Sequence, residues 1–152
     1  DRISARPASR ADAAAIARLS RELRAAIGEP RHLFTEAVIL RDGFGKRPEF
    51  QVIIAERAGE VVGYALYYDA YEPGYAARGL YMADLVVAKR VRRSGAGRVL
   101  IRAVEAAAAA RGRSYVWWIV PPGNTEALRF YETLRPEVQQ STVLHVKLVD
   151  GG

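Results

Sequence analysis

The stretch that decides the fold is LVVAKRVRRSGAGR, residues 85–98. Its first three residues are apolar without alternation, as expected of a strand that is covered on both faces. A basic loop with two glycines follows, and residues 98–111 then form an alanine-rich helical pattern. That pattern ends at Gly112, in the position after a helix that favours glycine. The sequence therefore predicts a strand, a loop and a helix in direct succession.

This loop has the features of a phosphate site. Glycine lets the backbone approach a ligand closely, and a helix start presents unpaired N–H groups and a positive dipole end to anions. The alternative is that the two glycines only shape the turn. The nearby arginines and the apolar strand favour the phosphate site, whose predicted members are Arg92, Arg93, Ser94, Gly95, Ala96, Gly97 and Arg98.

Other phosphate-binding loops do not fit this spacing. No Lys-Ser or Lys-Thr pair follows the second glycine, which excludes a P-loop, and the third glycine and distant acid of a dinucleotide fold are absent.

Composition limits the possible classes of protein. The chain has 152 residues, enough for one domain with one core, and we expect residues 1–152 to form a single domain. It has no cysteine, which excludes a disulfide framework, a thiolate metal site and a cysteine nucleophile. No apolar run approaches the ~20 residues that a membrane span needs. We expect a soluble cytoplasmic protein without a membrane partner.

The basic charge is concentrated in one part of the chain. The formal net charge is +6, but residues 89–113 carry a net +7 and the remainder a net −1. A nucleic-acid-binding protein would be expected to spread its charge along a face and to add exposed aromatic residues. One local cluster favours a small phosphorylated ligand instead, so we expect no nucleic-acid partner.

The remaining elements follow from periodicity and turn signals. We predict helices over residues 10–26, 34–41 and 124–133, with Ser9 as the N-cap of the first. We predict strands over residues 3–8, 51–57, 61–71, 79–87, 114–120 and 143–149, the second and third joined by a tight hairpin. The fold class is a mixed α/β sandwich about one central sheet.

Two motifs in the chain resemble those of the GNAT acetyltransferases. The run from Arg92 to Gly97 is similar to their Arg/Gln-x-x-Gly-x-Gly/Ala acetyl-CoA motif, and residues 124–131 match Asn-x-x-Ala-x-x-Phe-Tyr. Segments such as residues 62–68 and 80–84 are similar to the diamine acetyltransferase branch. The resemblance implies a mostly antiparallel sheet of about six to seven strands with about four helices. It also implies acetyl-CoA as donor and a homodimer.

The resemblance further implies which residues hold the cofactor. The backbone of Leu85, Val86 and Val87 would bind the pantetheine arm, and Arg93 to Arg98 would surround the pyrophosphate. Asn124 and Ala127 belong to the second motif. Asn124 has two compatible roles, as the N-cap of its helix and as a hydrogen-bond partner of the cofactor arm.

Tyr131 is the candidate general acid. Attack of an amine on a thioester expels a thiolate, which a phenol held near the sulfur can protonate, and relatives use a tyrosine at this place. The alternative is that Tyr131 packs in the core, as we expect for Phe130.

The base is less clear, because relatives commonly carry a Glu-Asp pair where this chain has Ala83-Asp84. Asp84 and Glu72 are the acidic candidates, although Glu72 also fits an ordinary solvated carboxylate, and deprotonation through water is a further possibility. His32 and His145 have no companion ligands, so we predict no metal site.

Acidic and aromatic positions that relatives use to hold long polyamines are also replaced. They correspond to Ala26, Ile27, Gly74 and Gly123. Without such anchors, the acceptor at Ile27, Glu72 and Ala83 is expected to be smaller, less charged or part-anionic.

We therefore expect an N-acetyltransferase that acts on a primary amine of a small molecule. The alternatives are a true polyamine acetyltransferase and a non-catalytic acyl-CoA-binding module, which the missing glutamate favours and the retained Tyr131 opposes.

Overall fold

The computed structural model describes residues 2–29 and 31–149. The strands are β1 (Ile3–Pro7), β2 (Gln51–Arg57), β3 (Glu60–Glu72), β4 (Ala77–Val87) and β5 (Tyr115–Trp117). The helices are α1 (Ala13–Ala26), α2 (Glu36–Gly43), α3 (Ala96–Ala110) and α4 (Thr125–Glu132), and two 3-10 turns cover Arg10–Asp12 and Lys89–Val91.

One mixed sheet carries the fold, with the strand order β1-β2-β3-β4-β5. The first four strands pair in antiparallel fashion, and β5 pairs with β4 in parallel. A parallel pair needs a crossover connection, which α3 supplies. The β2–β3 hairpin turns at Ala58 (φ +51°) and Gly59 (φ +77°), two left-handed residues of the kind that match strand twist.

Helices cover both faces of this sheet. The α1 helix packs against β3 and β4 on one face, where Arg24 pairs with Asp84 of β4, and it also packs against α2. The α3 helix runs across all five strands on the other face. The helices α1 and α3 each bury the apolar stripe that their periodicity predicts, including Ile16 and Leu19 in α1 and Leu100 and Val104 in α3.

The chain forms two compact units, one ending at Trp118 and the other beginning at Ile119. The first contains the sheet and helices α1 to α3, and the second contains α4. The α/β class and the mixed sheet are confirmed, but the described residues form five strands, fewer than expected.

The missing strand is the one predicted over residues 143–149, and this prediction is wrong. The segment alternates as a strand would, yet it has no ladder partner in residues 2–29 and 31–149. A strand exists only through pairing, so alternation alone does not make one. Its apolar side chains remain 71–81% exposed: Val143, Leu144, Val146, Leu148 and Val149.

Candidate active site

The predicted phosphate loop connects β4 to α3. Gly95 is the N-cap of α3, with φ +92°, a left-handed conformation that glycine adopts without strain. The first hydrogen bond of the helix runs from the Val99 N–H to the Gly95 carbonyl, at 3.0 Å. The ladder of α3 therefore begins at Val99, and the N–H groups of Ala96 and Gly97 lie before it, at the end of a helix that attracts anions.

Three arginines of the basic segment have acidic partners outside the loop. Arg90 pairs with Glu60, and Arg111 and Arg113 both pair with Asp69. Arg92 and Arg93 are exposed in the loop itself. Arg93 has φ +65°, a left-handed conformation that is uncommon outside glycine and that often marks a functional loop.

The edge of β4 that leads into this loop is open on one side. Parallel pairing with β5 covers only Gly79, Leu80 and Tyr81, whereas pairing with β3 continues to Val87. Within the described residues, the last six residues of β4 thus have no strand on the β5 side. Leu85, Val86 and Val87 lie on this stretch, and backbone groups along an open edge can pair with an extended ligand.

Asp84 lies on the same strand at the centre of a buried polar network. Its side chain is 10% exposed, and both oxygens lie 3.3 Å from Nη2 of Arg24. The Tyr64 hydroxyl donates to Oδ2 at 2.8 Å, and Arg24 also donates to the Ser20 hydroxyl at 2.9 Å. Burial, together with the Asp84 charge, raises the pKa of Tyr64 far above its usual range. Arg24 and Tyr64 were not identified from sequence, because no local pattern links residues 20 and 60 positions away.

The three residues predicted to contact the acceptor lie in different parts of the fold. Ala83 is exposed next to Asp84, at a bulge in β4. Glu72 lies opposite Ala77, seven residues before Asp84 on β4 and so about 20 Å away along the strand. Its carboxylate accepts a hydrogen bond from the Gly74 N–H at 2.8 Å. The structure does not bring Glu72 and Asp84 together. Ile27 is the exposed C-cap residue of α1.

The second motif lies in the unit that begins at Ile119. Asn124 is the N-cap of α4, and its side chain accepts the Ala127 N–H at 3.1 Å, which confirms the predicted cap. Tyr131 is half-buried, and its ring lies 5.3 Å from that of Phe130.

Two further properties of the described residues bear on function. Residues 2–29 and 31–149 contain no cluster of three or more His, Asp or Glu side chains arranged to hold a metal ion. None of the helices in those ranges has the length and apolarity that crossing a bilayer requires.

A strand that leads through a glycine-containing, basic loop into the start of a helix is an arrangement that proteins use to bind the phosphates of nucleotide cofactors. The chain belongs to the Acetyltransferase (GNAT) family, which matches residues 16–134.

Two kinds of relative were found. The chain is 33% identical to mouse thialysine N-epsilon-acetyltransferase over 139 residues, covering 85% of this chain and 81% of the mouse protein. It is 31% identical to the L-ornithine N5-acetyltransferase of Arabidopsis thaliana over 93 residues, covering 60% of this chain and 41% of that protein. The match to the pig thialysine enzyme spans 63% of its length, so the chain covers less than two thirds of two of these three relatives.

Solved structures confirm the fold. An aminoglycoside acetyltransferase from an uncultured soil metagenomic sample superposes with a TM-score of 0.81 at 20% identity, covering 97% of both chains. The ribosomal-protein-alanine N-acetyltransferase of Brucella melitensis has a TM-score of 0.77 at 20% identity, covering 96% of this chain and 99% of that one.

Proposed function

We propose that the protein is an acetyl-CoA-dependent N-acetyltransferase that acetylates a primary amine of a small molecule. The observation that carries the proposal is the edge of β4 beyond Tyr81, which has no strand of the described residues on the β5 side and leads to the glycine-capped start of α3. The family assignment supports the donor, and relatives named for thialysine and ornithine support a small amine as acceptor. The family match crosses the boundary at Ile119, so we propose that both units work as one catalytic domain.

The proposed donor site follows the chain from β4 into α3. The backbone of Leu85–Val87 would pair with the amides of the pantetheine arm, and the Gly95–Arg98 turn would bind the pyrophosphate through its N–H groups. Arg92 and Arg93 would add positive charge at the same place. Asn124 and Ala127 are the proposed contacts from the second motif.

The proposed reaction is direct transfer. The neutral amine attacks the thioester carbonyl, the C–N bond forms, and the C–S bond breaks with release of the thiolate. Tyr131 is the proposed general acid that protonates the sulfur. Asp84 is the proposed acceptor of the amine proton through a water molecule, because its oxygens already accept from Tyr64 and Arg24.

The acceptor is proposed to be an amino acid with a side-chain amine, or a short diamine. A polyamine acetyltransferase proper is the second candidate, and the absence of a glutamate at Ala83 opposes it. That absence favours the third candidate, a non-catalytic acyl-CoA-binding module.

A homodimer and a cytoplasmic location are also proposed, and the exposed apolar side chains of residues 143–149 support contact with a partner chain.

Release of free thiol from acetyl-CoA tests the proposal directly. A panel of lysine analogues, ornithine, short diamines and polyamines is assayed with the native protein and with Tyr131→Phe. We expect at least one amine to give turnover that Tyr131→Phe reduces. Cofactor binding without turnover for any amine would instead support the non-catalytic module.

A further inference from the structure

Three aromatic side chains form a row across the middle of the sheet, and we call it the aromatic row. Tyr68 of β3 pairs with Tyr81 of β4, and Tyr81 pairs with Trp117 of β5. The ring centroids of Tyr68 and Tyr81 are 5.4 Å apart, and those of Tyr81 and Trp117 are also 5.4 Å apart. The row therefore spans three adjacent strands without a gap.

A bulge places Asp84 on the same face as this row. Leu66 pairs with Asp84 and Tyr67 pairs with Met82, so Ala83 is the extra residue on β4. One extra residue shifts the alternation of a strand. Asp84 and Tyr81, three positions apart, consequently lie on one face, whereas regular alternation would separate them.

The aromatic row remains accessible. Tyr68 is 40% exposed and Trp117 is 42% exposed, whereas Tyr64, four residues earlier on the same face of β3, is fully buried. The network of α1 with Tyr64 and Asp84 ends at Arg24, in the last turn of the helix. The row thus lies on the part of the face beyond that network, next to the exposed Ala83.

The Asp84 carboxylate, which pairs with Arg24, also acts on two tyrosines of the row. Burial and then the Asp84 carboxylate raise the pKa of Tyr68. Burial, followed by Tyr68 and Asp84, raises the pKa of Tyr81. Accessible aromatic rings on the same face as a carboxylate are suited to an organic cation, because the ring quadrupole and the carboxylate attract the same charge.

We propose that the aromatic row binds an alkylammonium group of the acceptor, namely the amino group that is not acetylated. The inference rests on the proposed function, since an amine that attacks a thioester must be neutral while a second amino group stays protonated. It commits the acceptor to a compound with two amino groups joined by an alkyl chain.

The first experiment measures binding without acetyl-CoA and so does not depend on catalysis. Ligand-observed NMR compares n-butylammonium with its neutral isostere 1-butanol on native protein, Tyr81→Leu and Trp117→Leu. Tyr71→Leu is the matched control, because Tyr71 is 60% exposed on the opposite face of the same strand β3. We expect butylammonium to bind better than butanol, and each row variant to weaken it about 3- to 30-fold. Equal binding of butanol, or an equal loss in Tyr71→Leu, would overturn the proposal.

The second experiment measures kinetics. Tyr81→Leu should lower kcat/KM for 1,4-diaminobutane and leave kcat/KM for butylamine unchanged, because a single amine held by the row is bound non-productively. Equal effects on both amines would overturn the proposal. If no amine releases thiol, the proposed function fails, and the NMR comparison still decides whether the row binds ammonium. Trp117→Leu, on a short edge strand, serves in both experiments if Tyr81→Leu does not fold.

Discussion

Both carboxylate oxygens of Asp84 lie 3.3 Å from Nη2 of Arg24, so the candidate base of the site is also one half of a buried ion pair. The pair joins the last turn of α1 to the middle of β4. Asp84 therefore has two separable roles, one in stability and one in the proposed proton transfer, and Arg24 takes part directly only in the first.

Arg24→Leu should lower the free energy of unfolding by about 1 to 3 kcal/mol, because it leaves the Asp84 carboxylate buried without its cation. Arg21→Leu, at an exposed position of the same helix, is the control and should change stability by less than about 0.5 kcal/mol.

Asp84→Asn tests the role in proton transfer. Without the carboxylate only the neutral amine already present in solution can react, so kcat/KM should rise about tenfold per pH unit up to the pKa of the amine, about 10.4 for a lysine-like acceptor. A flat profile in that variant would assign Asp84 to stability alone.

A second ion pair predicts a pH dependence of stability. Arg6 donates to both oxygens of Asp12, at 2.8 and 2.9 Å. These hydrogen bonds from Arg6 are the main reason that the pKa of Asp12 lies below its ordinary value of 3.8, and a bond from the Ser9 N–H lowers it further. The stabilisation is present above that ordinary value and is lost as the pH falls through the lowered pKa of the folded state.

Asp12→Asn should therefore lower the free energy of unfolding by about 1 to 2 kcal/mol at neutral pH. The loss is moderate because Arg6 is partly exposed and solvent screens the pair. The Tm difference between native protein and Asp12→Asn should shrink as the pH falls below about 4. Asp42→Asn, which removes an exposed pair with Arg41, should change Tm little at any pH. A Tm difference for Asp12→Asn that is constant down to pH 2 would contradict this account.

The proposed approach of the cofactor phosphates to the start of α3 is tested by Gly97→Val. A bulky β-branched side chain in the first turn should block the approach and abolish the rise in Tm that saturating acetyl-CoA gives to the native protein. Ala106→Val introduces the same side chain at an exposed position of the same helix and should retain the rise. An unchanged rise in Gly97→Val would move the donor site away from this loop.

The elements of the first unit were predictable because periodicity, caps and glycines are local signals. The loop from Arg92 to Gly97 was predicted in this way, and α3 begins at Ala96, two residues earlier than expected. The bulge at Ala83 could not be predicted, because it depends on the register between β3 and β4. The aromatic row was missed for the same reason, since Tyr68, Tyr81 and Trp117 are neighbours only through that register.

Tyr131→Phe should lower kcat by about 10²- to 10⁴-fold, the usual contribution of a positioned general acid, with little change in cofactor affinity. Phenylalanine keeps the packing volume, so stability should be retained. Tyr75→Phe removes a phenol at a 60% exposed position and should leave kcat unchanged. Near-normal turnover in Tyr131→Phe would return this residue to a packing role beside Phe130.

Long polyamines should be poorer acceptors than amino acids with a side-chain amine, because two acids of the diamine branch are replaced, one at Ala83 and one at the end of α1 in the pair Ala26-Ile27. The aromatic row can hold one ammonium, but each missing charge-assisted contact costs about 1.5 to 3 kcal/mol, so two should reduce kcat/KM for spermidine by a hundredfold or more. The measurement is kcat/KM for spermidine, ornithine and lysine analogues in native protein and in Ala83→Glu. Ala83→Gln, of similar shape without the charge, is the control. The glutamate should raise kcat/KM for spermidine relative to ornithine, and the glutamine should not. Spermidine turnover equal to the best amino acid, or a ranking that Ala83→Glu leaves untouched, would show that carboxylate anchors at this position do not set the choice of acceptor.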